Sequence, residues 1–249
     1  MEDFSAFIVV SETYRFLRRG FGAFLRRGLL TTLSAALALF LALQGNILNL
    51  SPQAFRATLI ALAALSALLA VQFVIGWHRY ALGPEIKGRA RLRQTVTYLR
   101  ATLVIGLLAL IPPLAAVTAL TQLGSAVSLP VALLSGFLMA VVIGKLCLAW
   151  PAAAIGRHHV MRHGWIMSSG LVPQLLVSLL LTSAPFHAAA GGLLYLQARG
   201  DVPQAWLGPL AFALTLLLLF GIAAGATALS IIYRWRMRQD HSHWWRYDS

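Results

Sequence analysis

The chain has 249 residues, of which 59% are hydrophobic and only 11% charged, and it carries a formal net charge of +13 at pH 7. Soluble domains are about half apolar and about a quarter charged, so a soluble fold is excluded: its core could not hide this much apolar surface. The single cysteine, Cys147, excludes an internal disulfide and a cysteine-rich metal or cluster centre.

The first element in chain order is an amphipathic stretch over residues 4–25. Phe7, Tyr14, Leu17, Phe21 and Phe24 recur at helical steps, while Arg15, Arg18, Arg19 and Arg26 fall mostly elsewhere on the wheel. This predicts an interfacial helix with its apolar face in the acyl boundary and its arginines on phosphates, or an anchor packed on the bundle. Six apolar runs follow, over residues 29–50, 57–77, 101–123, 129–150, 171–196 and 205–233. A helix of roughly 20 residues spans about 30 Å of hydrocarbon, so each run is long enough to cross a bilayer. The run from residue 29 is too long for the apolar part of a signal peptide. The expected fold is all-α, a polytopic membrane helix bundle with six transmembrane helices. Residues 1–28 form the interfacial segment, 29–233 the transmembrane domain and 234–249 a basic aromatic cytoplasmic tail.

The basic residues set the orientation. All but three of the 20 lysines and arginines fall on one side; the exceptions are Arg56, Arg199 and Lys145. Positive charge stays inside, so both termini are expected in the cytoplasm, and the outer loops near residues 51–56, 124–128 and 197–204 are short. With the charge confined to short loops, the expected partners are anionic headgroups rather than nucleic acid. Residues 87–93 alternate charge through Lys87, Arg89, Arg91 and Arg93, which suggests an interfacial strand or turn contacting lipid phosphate. Arg15, Arg18 and Arg19 are expected to do the same from the N-terminal helix. The aromatic and basic residues of 241–247 are expected to snorkel at headgroup level.

Several residues tempt a chemical reading. His159 and His163 stand four apart beside His158, a spacing that places two metal ligands on one helix face. A zinc site needs further ligands, and none of the seven carboxylates lies near them in sequence, so a headgroup-facing cluster is the better expectation. Lys145 and His187 fall inside apolar runs, where ionisable groups are costly. Lys145 can snorkel to the cytoplasmic interface, and His187 is expected to bond a neighbouring helix carbonyl. Pro112 and Pro113 sit in mid-run and predict a kink or break, the feature on which a transporter reading rests. Gln44, Asn46 and Asn49 suggest interhelical hydrogen bonds, and Gly221 with Gly225 suggests close helix packing. His78, Arg79 and Glu85 lie at the mouth of span two and Arg157 at that of span four. Glu85 is expected to pair with one of these arginines, either as a tie between hairpins or as part of a headgroup pocket.

The segments Trp77-His78-Arg79 with Glu85, Pro151-Ala152-Ala153-Ala154, Trp165 and Ser168-Ser169-Gly170 resemble a group of uncharacterised six-span bacterial inner-membrane proteins. That group is similar to the membrane domain found beside glycerophosphodiester phosphodiesterases. Gly83-Pro84 before Glu85 departs from the usual pattern. The resemblance implies a six-span fold in a bacterial inner membrane and no established activity. No catalytic signature stands in the chain, and no cofactor is implied. The expected function is that of a non-enzymatic organiser of membrane lipids or partner proteins, or of copies of itself. A small transporter or transport accessory is the alternative, and a membrane-embedded enzyme built on the histidine cluster is the third.

Overall fold

A computed structural model describes residues 5–45, 47, 49–83, 91–123 and 128–239. Asn46, Glu85, Lys87, Arg89 and residues 240–249 lie outside the described residues, and of Arg91 and Arg93 only the backbone is described. The described residues are 89% helical, with no strand among them. The helices are α1 (Ala6–Arg19), α2 (Phe21–Gln44), α3 (Pro52–Leu82), α4 (Arg91–Leu123), α5 (Ser128–Leu146), α6 (Ala149–Ala154), α7 (Val160–Met167), α8 (Val172–Ala198) and α9 (Leu207–Gln239). Among the described residues, six segments are long and apolar enough to cross a membrane: Phe21–Gln44, Pro52–Leu82, Gln94–Thr118, Leu129–Ala154, Val172–Ala198 and Gln204–Gln239. This is the all-α polytopic membrane fold. Large apolar side chains such as Ile60, Leu103, Leu114, Leu133 and Leu180 are exposed along these helices, as a lipid solvent permits.

Helix limits differ from the apolar runs in places, each for a local reason. The first span starts at Phe21 rather than at residue 29, because Arg26 and Arg27 are carried within α2. Arg91 and Arg93 belong to the start of α4, not to a strand or turn. Pro112 and Pro113 lie inside α4 without breaking it. Two lost amide donors are a small share of a helix of 33 residues. The fourth run does break. Pro151 has no N–H for the Cys147 carbonyl four residues back, and the Trp150 N–H takes that carbonyl instead at 3.2 Å. The chain turns there, ending α5 and starting α6.

The described chain forms two compact units. One joins Phe7–Ala81 to Leu179–Ala228, and the other joins Leu82–Ser178 to Leu229–Ser249 and Met1–Ala6. The first has an aromatic core. The Phe24 ring stacks on Phe220 at 4.0 Å and meets Phe73 and Trp77 edge-on at 5.7 and 5.9 Å. The buried Trp77 Nε1–H donates to the Ala223 carbonyl (3.1 Å) and to Thr227 Oγ1 (2.9 Å). The helix α1 docks here through buried Val9, Thr13 and Leu17. The Tyr14 hydroxyl donates to the carbonyls of Leu181 (3.0 Å) and Thr182 (3.2 Å), and Phe16 packs on Trp77 and Tyr80. The buried stripe matches the expected one only in part: Leu17 and Phe24 are buried and Tyr14 docks, whereas Phe7 is 74% exposed and Phe21 is exposed too. The helix ends at Arg19, so Phe21 and Phe24 belong to α2, with a register of its own. In the same unit Gly221 and Gly225 of α9 face His187 and Leu179 of α8, the close packing their spacing suggested.

In the second unit α4 packs on α5 and α6, and α7 packs on α5 and α6. The Trp150 Nε1–H donates to Thr102 Oγ1 at 3.1 Å. Gly164 of α7 lies directly against Ala149 of α6, and Cys147 is fully buried.

Candidate functional site

The second unit holds a cavity of about 590 Å³, and its walls follow from two local features. On α4, Val96, Arg100 and Val104 recur every four residues, so they share one helix face, with Thr97 and Ala101 beside them. The opposite wall is the turn after α6. That helix ends in a Schellman motif: Arg157 N–H bonds the Ala152 carbonyl (3.1 Å) and Gly156 N–H the Ala153 carbonyl (3.0 Å). Gly156 takes φ 76°, the left-handed conformation that glycine adopts without strain. His159 is left-handed as well, at φ 49° and ψ 40°, immediately before α7. For a residue with a Cβ this costs roughly 1–2 kcal/mol. These two turns wrap residues 156–162 into the wall that faces α4.

The result is a basic pocket with apolar sides. Arg100, Arg157, Arg162, His158 and His159 all line it, and Val104, Val160 and Met161 supply hydrocarbon. No side chain caps the N-terminus of α7. Such a pocket can hold an anion; the planar guanidinium fork suits phosphate or carboxylate oxygens in particular.

The structure separates the histidines that the sequence grouped. His163 Nε2 and the hydroxyl of fully buried Tyr233 are 2.9 Å apart, whereas His158 and His159 line the cavity. His159 precedes the helix in a left-handed conformation, so the four-residue spacing does not put it on one helix face with His163. Among the described residues no group of three His, Cys, Asp or Glu side chains is placed to hold a metal ion.

The other marked residues are engaged elsewhere. Lys145 places Nζ over the Trp165 ring, 5.2 Å from its centroid. The bond expected of His187 forms, but within its own helix: Nδ1 lies 2.8 Å from the Ser183 carbonyl oxygen. The cause is close packing, since the ring is held against Gly221. Gln44 makes no interhelical bond; its Oε1 is buried without a partner, and Asn49 is exposed. His78 is buried and Arg79 half-buried in α3. Pairing of Glu85 lies outside the described residues. Arg15, Arg18 and Arg19 are exposed on α1.

Sequence reading missed the cavity as a unit. Arg100 and Arg162 entered only as topology charges, and Arg157 only as a partner for Glu85. The available signal was a lone arginine between Val96 and Val104 on one helical stripe; the facing wall, more than 50 residues on in the chain, has no signature that ties it to α4. No protein-family model matches the chain, and no curated protein or solved structure does either.

Proposed function

We propose that this multi-pass protein resides in a bacterial inner membrane with both termini in the cytoplasm, and that it gathers anionic lipid, or a protein docked through it, at a basic cytoplasmic face. It belongs, on this reading, with the six-span inner-membrane proteins that its Trp77, Pro151 and Trp165 segments resemble. The observation that carries the proposal is the basic cavity. Its three arginines come from segments that the charge asymmetry assigns to the cytoplasmic side, and they meet at the ends of α4 and α7 rather than in mid-span. Arg15, Arg18 and Arg19 of α1 are exposed as well and supply a second basic patch on the other unit. A transport role draws less support. Pro112 and Pro113 leave α4 unbroken, Lys145 lies over an indole ring, and His187 bonds its own helix.

The test is native extraction into polymer-bounded nanodiscs followed by lipid analysis. Anionic lipid is expected at about twice its share of the bulk membrane or more; an unchanged share overturns the proposal. Cysteines placed at positions 51 and 242 report the orientation. An impermeant maleimide added from outside is expected to modify position 51 alone, and labelling at 242 overturns the assignment.

A further inference from the structure

The cavity is larger and more apolar than contact with passing headgroups requires. Its volume of about 590 Å³ equals about twenty waters at roughly 30 Å³ each. That exceeds what a bare phosphate fills and lies within the range of about 300–1,000 Å³ of organic-ligand sites. Resting on the reading that the basic face meets anionic lipid, we infer that the cavity is a discrete site for one phosphate-bearing amphiphile. Arg100 from α4 approaches the ligand from one wall, and Arg157 and Arg162 approach from the other. Guanidinium groups from two directions can take separate oxygens of one phosphoryl group in bidentate fashion. The apolar remainder of the ligand lies against Val96, Val104 and Met161, which share the cavity with the arginines.

Two observations separate this from general surface attraction. First, the geometry is built. A Schellman turn at Gly156 and a left-handed His159 hold the 156–162 wall in place, and backbone held in a sparsely populated conformation is characteristic of ligand-binding turns. Second, Arg100 stands at the polar-to-apolar boundary of α4, immediately before the apolar run from Ala101, and shares its helix face with Val104 one turn further in. A phosphoryl group bound there lies at the edge of the apolar run, with Val104 and the hydrocarbon beyond it open to a tail. A lipid satisfies both conditions, and a water-soluble phosphate satisfies only the first.

The experiment uses the full chain in phosphatidylcholine nanodiscs, titrated with dioleoyl phosphatidic acid and read by native mass spectrometry. The wild type is expected to retain one phosphatidic acid per chain. Arg100→Gln combined with Arg157→Gln is expected to weaken retention at least about tenfold. Val104→Phe, which leaves every charge in place and fills the pocket, is expected to do the same. Arg15→Gln combined with Arg18→Gln is expected to leave the single site intact. Arg100→Lys keeps the charge without the fork and is expected to fall between. Thermal unfolding of each unliganded variant at the wild-type temperature shows that the fold is retained. Unchanged stoichiometry and affinity in both the arginine pair and Val104→Phe would overturn the site while leaving the broader anionic-lipid reading in place. Loss of anionic lipid from wild-type nanodiscs altogether would overturn both. Inorganic phosphate or pyrophosphate displacing the lipid at equal concentration would overturn the amphiphile and leave a simple anion site.

Discussion

Gly221 sits so close beneath the His187 ring that a methyl group there would lie 2.5 Å from Cε1 and 2.8 Å from Nδ1. Overpacking costs about 1–3 kcal/mol, and alanine regains about 0.5–1 kcal/mol of helix preference over glycine. Gly221→Ala is therefore expected to lose about 1 kcal/mol, and His187→Ala in the same chain to remove the loss. Gly164 is the harsher case. Its methyl would meet the Ala149 backbone nitrogen at 2.6 Å, and backbone within α6 cannot swing aside as a ring can. Gly164→Ala is expected to cost about 2–3 kcal/mol. Unfolding in mixed micelles checks both, and equal losses at the two sites would refute the distinction. Trp77→Phe keeps most of the ring contacts and deletes a buried donor with two acceptors; about 1 kcal/mol is expected. Thr227→Val is expected to cost less, because the Ala223 carbonyl still accepts the indole N–H.

At the scale of an element, α1 shows what a helical wheel can and cannot say. The periodicity of residues 4–25 identified a helix and its amphipathic character. It ran two helices together across Gly20, however, and so it included the exposed Phe7 and Phe21 beside Leu17 and Phe24 while passing over the buried Val9 and Thr13. A wheel carries no information about where one helix stops unless a breaker announces it, and a lone glycine is a weak breaker. The prolines invert the lesson. Pro112-Pro113 is the stronger signal in sequence and leaves α4 continuous, while Pro151 ends α5, because there a turn into α6 is available and packed. Docking of α1 is testable through Tyr14. Tyr14→Phe is expected to speed amide exchange across α1 while leaving α3 and α9 protected; unchanged exchange would mean that the helix is held by other contacts. Burial pushes the Tyr14 phenol above its usual value near 10. The neutral phenol is the favoured form in the folded state, so its contribution is fully present below about pH 10. It is lost as pH rises through the folded value. Exchange of α1 is expected to be flat with respect to docking up to that point and to accelerate beyond it, an acceleration that Tyr14→Phe should lack.

For the molecule as a whole, run length alone made the six spans legible, because hydrocarbon thickness imposes a minimum that few soluble helices meet. Helix ends were less legible: α3, α4 and α9 run past their apolar cores into residues such as Arg79, Arg91 and Arg236. The cavity was legible only in parts, since Arg100 and Arg157 meet through tertiary packing that leaves no periodic trace in a single chain. One feature of the aromatic unit bears on how the protein is made. Trp77 bonds residues 146 and 150 positions later, and Tyr14 one that is 167 positions later. A ribosome adding about 5–20 residues per second delivers the last of these partners roughly 7–30 s after α3 has emerged. Through that interval the first helices stand in the membrane with the indole N–H unsatisfied and with Phe24 lacking its Phe220 face. Chains stopped after Ala198 are thus expected to be cleared much faster than full-length chains in a pulse-chase, with α1–α3 protease-sensitive until α9 has entered. Equal lifetimes would show that the early helices reach a folded state unaided. In the life of one polypeptide, the beginning becomes durable only once the end has arrived.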